Sequence, residues 1–465
     1  MKTNNISGID TVEILDRSVP PKAGKPRDIN FPEFFETKTT NGITILVIED
    51  KRLPLITTRF VFRSGAYLDH FFGENKSGLA SVTSELLTKG TGTRSATQIA
   101  EDVDYLGASL SSGSDYNASY VSSYSLKKYS DNIFDIISDV IINPDFAEDE
   151  IKRSAEQRIN SLLSMRDEGD YLADRTFKKV VFDKTPYQYP VEGIESSIRN
   201  INRDDIFSYY KKVFVPSNLI VAFVGDITPE EAVAKINEQF SGWSGADAPV
   251  NEIIVPAHKD KTGVYLTGKK GAVQSSLKVG HLGIQRNNPD FIAVSVMNTM
   301  LGGFFTSRLN KNLREVNGYT YGVRSMFSSN LHSGDFSVVT EVKNNITANT
   351  VTEILKEINE IRNNFIQDME LQNVKNYISG SFPLQLETPN AIASKVINLK
   401  LNDLEDGYYN TYIKKVNELT KEEIKEAANK YLHPDKLVLS IAGNVNEIKS
   451  EMEKFGEVEI TVEDK

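Results

Sequence analysis

The sequence contains no cysteine in 465 residues, so thiol nucleophiles, disulfides and thiolate metal sites are all excluded. Histidine is scarce as well: there are five, His70, His258, His281, His332 and His433, no two within five positions of each other. A local zinc motif needs imidazoles about one helical turn apart, and none can be written here. No apolar run approaches the ~18 residues that span a bilayer. Basic charge is also short. The net charge of −11 removes the positive footprint that nucleic acid requires, so no nucleic-acid partner and no membrane span are expected. The stretch from Met1 to Pro32 is polar and lacks the apolar centre of a signal peptide. The expected location is cytoplasmic, or periplasmic if a leader has been removed.

What remains is an ordinary globular composition, 39% hydrophobic and 25% charged. The length corresponds to two to four domains at roughly 150 residues each. Pro20, Pro21 and Pro26 oppose helix, and residues 1–30 read as an extended arm. Runs rich in β-branched residues over 43–48 and 56–62 predict strands either side of Leu53-Pro54. Helices are expected over 78–88, 96–106 (capped by Ser95), 129–142, 146–165 and 203–213, with strands over 120–126 and 219–224. The strongest signal is an internal repeat. Residues 201–227 align without a gap on residues 419–445, an offset that sets Pro216 on Pro434, Leu219 on Leu437 and Gly225 on Gly443. Acid pairs, Asp204-Asp205 and Glu422-Glu423, fall in the first turn of each predicted helix, where the helix dipole favours them. The chain therefore reads as two homologous halves, 31–243 and 261–465, joined by a linker over 244–260. The fold class is α+β, each half a mixed, largely antiparallel sheet packed with helices.

Several short segments then resemble one family. Asn41-Gly42, Ser64-Gly65-Ala66, Gly78-Leu79-Ala80 and Lys89-Gly90-Thr91, continued by Pro186-Tyr187, Gly193-Ile194-Glu195 and Pro216-Ser217-Asn218-Leu219, resemble the insulinase/pitrilysin zinc peptidases, which include the mitochondrial processing peptidase. The family's zinc motif, His-x-x-Glu-His on the helix before Lys-Gly-Thr, would fall on Ser81, Ser84 and Glu85, and its distal glutamate on Ser161. On this resemblance both histidines, the general base and the distal ligand are replaced. Serine is a poor zinc ligand, and one carboxylate does not substitute for the set. This chain is expected to bind no metal.

The second half keeps a different part of the pattern. Leu313-Arg314-Glu315-Val316-Asn317-Gly318-Tyr319-Thr320-Tyr321 resembles the segment from which the family turns an arginine and a tyrosine toward the zinc. The matching residues are Arg314 and Tyr321, with Tyr319 the nearby alternative. Gly302-Gly303 resembles, in much shortened form, the glycine-rich substrate loop of the processing peptidase's non-catalytic subunit. The residues themselves read as a helix C-cap and turn. The combination implies a non-catalytic subunit of a heterodimer that degrades short unfolded peptides. The homologous zinc-motif partner would hold the zinc, and this chain would complete that site in trans. Two other readings stay open: a scaffold like the core subunits of the cytochrome bc1 complex, or a peptide-binding homodimer without activity.

Overall fold

The computed structural model describes residue 24 and residues 29–247, 255–364 and 366–461. Most of the proposed arm, and the middle of the proposed linker, lie outside the described residues. Strands β1 (Phe35–Lys38), β2 (Thr44–Glu49), β3 (Leu55–Phe62), β4 (Ser109–Ser114), β5 (Ser119–Leu126) and β6 (Leu219–Gly225) form a six-stranded sheet in the order β1-β2-β6-β3-β5-β4. Strands β7 (Gly263–Gly268), β8 (Gln274–Leu282), β9 (Val323–Ser329), β10 (Gly334–Lys343), β11 (Val438–Gly443) and β12 (Val458–Thr461) form a second, in the order β12-β7-β11-β8-β10-β9. Five strands of each sheet follow the same path, and only the outermost strand comes from a different end of the half. Both sheets are mixed and mostly antiparallel.

The repeat occupies equivalent places. β6 runs parallel to β2 and antiparallel to β3, and β11 runs parallel to β7 and antiparallel to β8. Every residue of both strands is buried, which explains why β6 is continuously apolar and why β11 is broken only by Ser440. The preceding helices, Arg203–Val213 and Lys421–Tyr431, begin on matching capping boxes, Asn202 with Asp205 and Thr420 with Glu423. One acid of each pair noted in the sequence is thus the residue that reaches back to the cap.

The faces of each sheet are covered differently. Ile45, Val47, Val221 and Phe223 point into a core made with the first half's own helices. Leu46, Ile48, Ile220 and Ala222 point the other way, toward the Pro389–Leu401 helix of the second half. Reciprocally, the Gly169–Val181 helix of the first half lies across β8 and β11 of the second sheet. Ser440 Oγ donates to the Ala173 carbonyl at 2.7 Å, and Thr176 Oγ1 meets Thr267 Oγ1 at 2.9 Å.

A cation on the central antiparallel strand pins each exchanged helix. Arg59 on β3 donates to Asn390 Oδ1 at 2.9 Å, and Lys278 on β8 donates to Asp174 Oδ1 at 2.5 Å. Arg59 pairs with Ala222 and Lys278 with Ser440, and the repeat offset carries Ala222 onto Ser440. The two clasps are therefore the same position used twice.

No helix among the described residues is long and apolar enough to cross a membrane.

Candidate functional site

The helix Leu79–Leu86 carries the positions where the zinc motif was expected. Its N-terminus is capped from outside: Asp69 accepts from the Gly78 and Ala80 amides at 2.7 and 2.9 Å. Burial pushes the Asp69 carboxyl up to about 8, against the pull of those amides. Gly78 has φ +93°, and a Cβ there would lie 2.9 Å from the Glu192 carbonyl and 3.0 Å from Gly193 Cα. The two glycine motifs seen far apart in the sequence are one backbone-to-backbone contact, and only glycine fits it.

On this helix Ser84 is fully buried, its hydroxyl without a partner among the described residues. Ser81 and Glu85 face the helix Glu148–Met165. There Arg158 donates to Ser81 Oγ at 3.0 Å and forms an ion pair with Glu85, while Ser154 donates to Glu85 Oε1 at 2.9 Å. Ser161, expected at the distal ligand position, is exposed. The residue that reaches Glu85 is Arg158, one turn earlier. A guanidinium thus sits among the positions where a divalent cation would be held, and the one carboxylate is neutralised by it. The donor set does not fit zinc. Among the described residues no three His, Asp or Glu side chains converge to hold a metal ion. Motif counting alone could not find Arg158. The signal available was the i, i+4 spacing of Ser154 and Arg158, which puts both on one helix face.

Three of the five histidines do come together, though not as ligands. The rings of His258, His281 and His433 have centroids 4.6 to 5.9 Å apart. His281 Nδ1 lies 2.6 Å from the Leu282 carbonyl, and its Nε2 accepts from the His433 amide at 3.0 Å. Both nitrogens are used by the neutral ring, and burial lowers its pKa to about 3. A group whose folded pKa lies below its unfolded value near 6.5 contributes stability above that value and loses it as pH falls. Stability is expected to drop by about 1.4 kcal/mol per pH unit between pH 6 and 4 from this group. Urea unfolding over that range should show a shallower slope for His281→Gln than for the wild type.

The second half holds the other expected residues. The helix Phe291–Asn298 continues into a π-helical turn, Thr299–Gly303, and a second π-helical segment spans Asn310–Val316. Such wide turns recur at functional sites. Gly302 does not act as a left-handed helix cap. It lets the turn press onto β9, where a Cβ would lie 2.7 Å from the Ser325 amide nitrogen. Arg314 stacks on the Phe305 ring at 4.3 Å. Residues 319–322 form a loop, and the strand begins only at Val323, where Asn310 holds both the Val323 carbonyl (2.8 Å) and its amide (3.3 Å). Tyr319 and Tyr321 therefore do not share a strand face. Tyr319 is half-buried against the core, and its amide donates to the Leu313 carbonyl at 2.8 Å. Tyr321 is 98% exposed, with no hydrogen-bond partner among the described residues.

Tyr321, Gly302, Gly303 and Phe305 line a cavity of about 1450 Å³ that also takes in Arg324 and Met326 of edge strand β9 and the 168–174 segment of the first half. None of Ser81, Ser84, Glu85 or Ser161 lines it. Arg314 does not line it either, and approaches it only through the Phe305 ring on which it lies.

Comparison with known proteins follows the same division. The family model described as insulinase (peptidase family M16) matches residues 57–193, and that described as peptidase M16 inactive domain matches residues 200–378. A Helicobacter pylori protein named non-peptidase homolog YmxG is 24% identical over 405 residues, 86% of this chain and 92% of that one. A Bacillus subtilis protein named uncharacterized zinc protease YmxG is 26% identical over 346 residues, 74% and 82% of the two chains. A solved structure described as the peptidase M16 inactive domain from Pseudomonas fluorescens superimposes with a TM-score of 0.83 at 26% identity, covering 88% of this chain and 98% of that one.

Proposed function

The chain belongs to the insulinase (M16) peptidase family, and on that premise we propose that it is a non-catalytic subunit whose second half completes the zinc site of a homologous partner. The observation that carries this reading is the contrast between two tyrosines two residues apart. Tyr319 lies half-buried against the core, and Tyr321 stands free in solvent on a loop anchored at both ends. Ordering an exposed aromatic loop costs conformational entropy, and inside this chain the Tyr321 hydroxyl has no use.

Peptide hydrolysis builds negative charge on the scissile carbonyl oxygen. A tyrosine hydroxyl donates to that oxygen, and a fixed guanidinium such as Arg314 holds a substrate backbone carbonyl or the developing charge. Zinc in the partner would supply the activated water. The Arg158–Glu85 pair supports the division of labour, since it stabilises the first half without metal. The substrates are short unfolded peptides, which can add to an exposed strand edge inside a closed chamber.

Zinc stoichiometry tests the proposal. The chain should be co-expressed with an M16 member carrying intact His-x-x-Glu-His and purified without chelators. The expected result is co-purification, with zinc equal to the partner alone and none in this chain by itself. One zinc per isolated chain, or failure of the two to associate, contradicts it.

A further inference from the structure

A separate cavity of about 520 Å³ lies among the helices of the second half, between the helices Phe291–Asn298, Asp368–Ser381, Pro389–Leu401 and Tyr408–Glu418. Its size is that of a small-molecule site. Its chemistry is unusual for this protein. The chain has 64 acidic residues and a net charge of −11, yet among the described residues no Asp or Glu lines this cavity, and two cations do. Arg286 lies over the Phe291 ring at 4.0 Å and the Tyr408 ring at 5.0 Å. Lys395 lies over the Tyr409 ring at 5.3 Å and the Phe382 ring at 5.7 Å.

Neither cation has a carboxylate partner among the described residues. Lys395 Nζ donates to Gln385 Oε1 at 3.0 Å, a neutral acceptor. Arg286 Nη1 is buried with no well-aligned acceptor among the described residues, and only the neutral hydroxyls of Tyr408 and Tyr409 lie beside the guanidinium. Burial, and the Arg286 charge sharing the same space, both lower the Lys395 pKa. Several other half-buried cations of the chain are met by carboxylates, Arg308 by Glu370, Lys278 by Asp174 and Arg158 by Glu85, while Arg59 on its own meets the neutral Asn390 amide. Two like charges, one with an orphaned donor, left facing each other across an aromatic box cost stability unless something of opposite charge enters. A guanidinium presents a planar fork to a carboxylate, and the rings reward a flat apolar body attached to it.

We propose that this cavity is a binding site for a small organic carboxylate with an apolar, planar body, its charge held by Arg286 and Lys395. The proposal is independent of the peptidase reading. The site adjoins the Tyr321 cavity all the same, because Tyr377 is a wall of both and stacks on Phe304 at 5.1 Å.

The test uses the full chain and benzoate as the probe, with benzyl alcohol as the uncharged counterpart and inorganic phosphate as the anion without a ring. Titration calorimetry and ligand-observed NMR are expected to give one saturable benzoate site. Benzyl alcohol and phosphate should each bind roughly tenfold or more weakly, since each lacks one half of the recognition. Lys395→Gln and Arg286→Gln should each weaken benzoate by a similar factor, with Lys395→Arg retaining most of the affinity. Circular dichroism melts check folding, and if Arg286→Gln does not fold, Lys395→Gln decides alone. Benzoate binding that is no tighter than benzyl alcohol, or is unchanged in folded Lys395→Gln, overturns the proposal. So does phosphate binding tighter than benzoate, or no benzoate binding by the folded wild type at millimolar concentration.

Discussion

In a complex reconstituted with a zinc-motif partner, Tyr321→Phe is expected to lower turnover about 10²–10³-fold, the usual consequence of removing one oxyanion donor, or about 2.7–4 kcal/mol. The substitution keeps the ring and deletes only the hydroxyl. The side chain is exposed and makes no hydrogen bond to the described residues, so neither folding nor assembly should suffer. Arg314→Ala acts differently. It removes the group stacked on Phe305, and if the guanidinium grips the ground-state backbone it should raise the Michaelis constant along with lowering turnover. Tyr319→Phe is the control. Its ring is half-buried against the core of its own half, and its effect on turnover should be small. Steady-state kinetics with a short fluorogenic peptide separates the three.

The largest expected effect on stability is at the clasp between the halves. Lys278 is 8% exposed, over the Phe177 ring at 4.8 Å, and its charge is met by Asp174, which Lys178 also contacts. Lys278→Met keeps the length and apolar stem but leaves Asp174 with one cation where it had two. Losing one partner of a buried ion pair costs about 3–5 kcal/mol. Lys178 and the partial exposure of Asp174 reduce that to about 2–3 kcal/mol here. The double variant Lys278→Met/Asp174→Leu should recover part of the loss, because no charge is then stranded. Arg52→Met, at a pair open to solvent, should leave stability nearly unchanged. The neighbouring cations hold the Asp174 carboxyl below its usual range, despite the opposing effect of burial. Its contribution is therefore present above about pH 4 and lost as the pH falls through the lowered value. Urea unfolding of the four proteins at pH 7 measures the differences.

The helix Glu148–Met165 shows where sequence reading stops. Its periodicity and position were legible. Counting along a family pattern led to Ser161, yet packing selects Arg158, because the residue that meets Glu85 is set by how two helices lie together. β6 was legible because it is buried on both faces and reads as an unbroken apolar run, and β11 followed from it through the repeat. β4 was not: Ser109–Ser114 is an edge strand of serine and glycine, half open to solvent, with no apolar alternation to betray it. The exchanged helices were invisible for a different reason. Gly169–Val181 has an ordinary amphipathic pattern, and nothing in that pattern says which sheet it will cover. Which of Tyr319 and Tyr321 faces solvent is decided by turn chemistry. Gly318 has φ +63°, and the Asn310 side chain delays the strand until Val323, which sends the two tyrosines to different places.

Complementation of activity tests the central claim most directly. A zinc-motif M16 partner, purified alone, is assayed on a short quenched peptide while this chain is titrated in. The account predicts little cleavage by either protein alone and a saturable rise that levels off at one chain per partner. The same titration with the Tyr321→Phe chain should reach equal assembly and a plateau roughly 10²-fold lower. A partner fully active alone and unchanged by this chain, or an equal plateau with Tyr321→Phe, would contradict it.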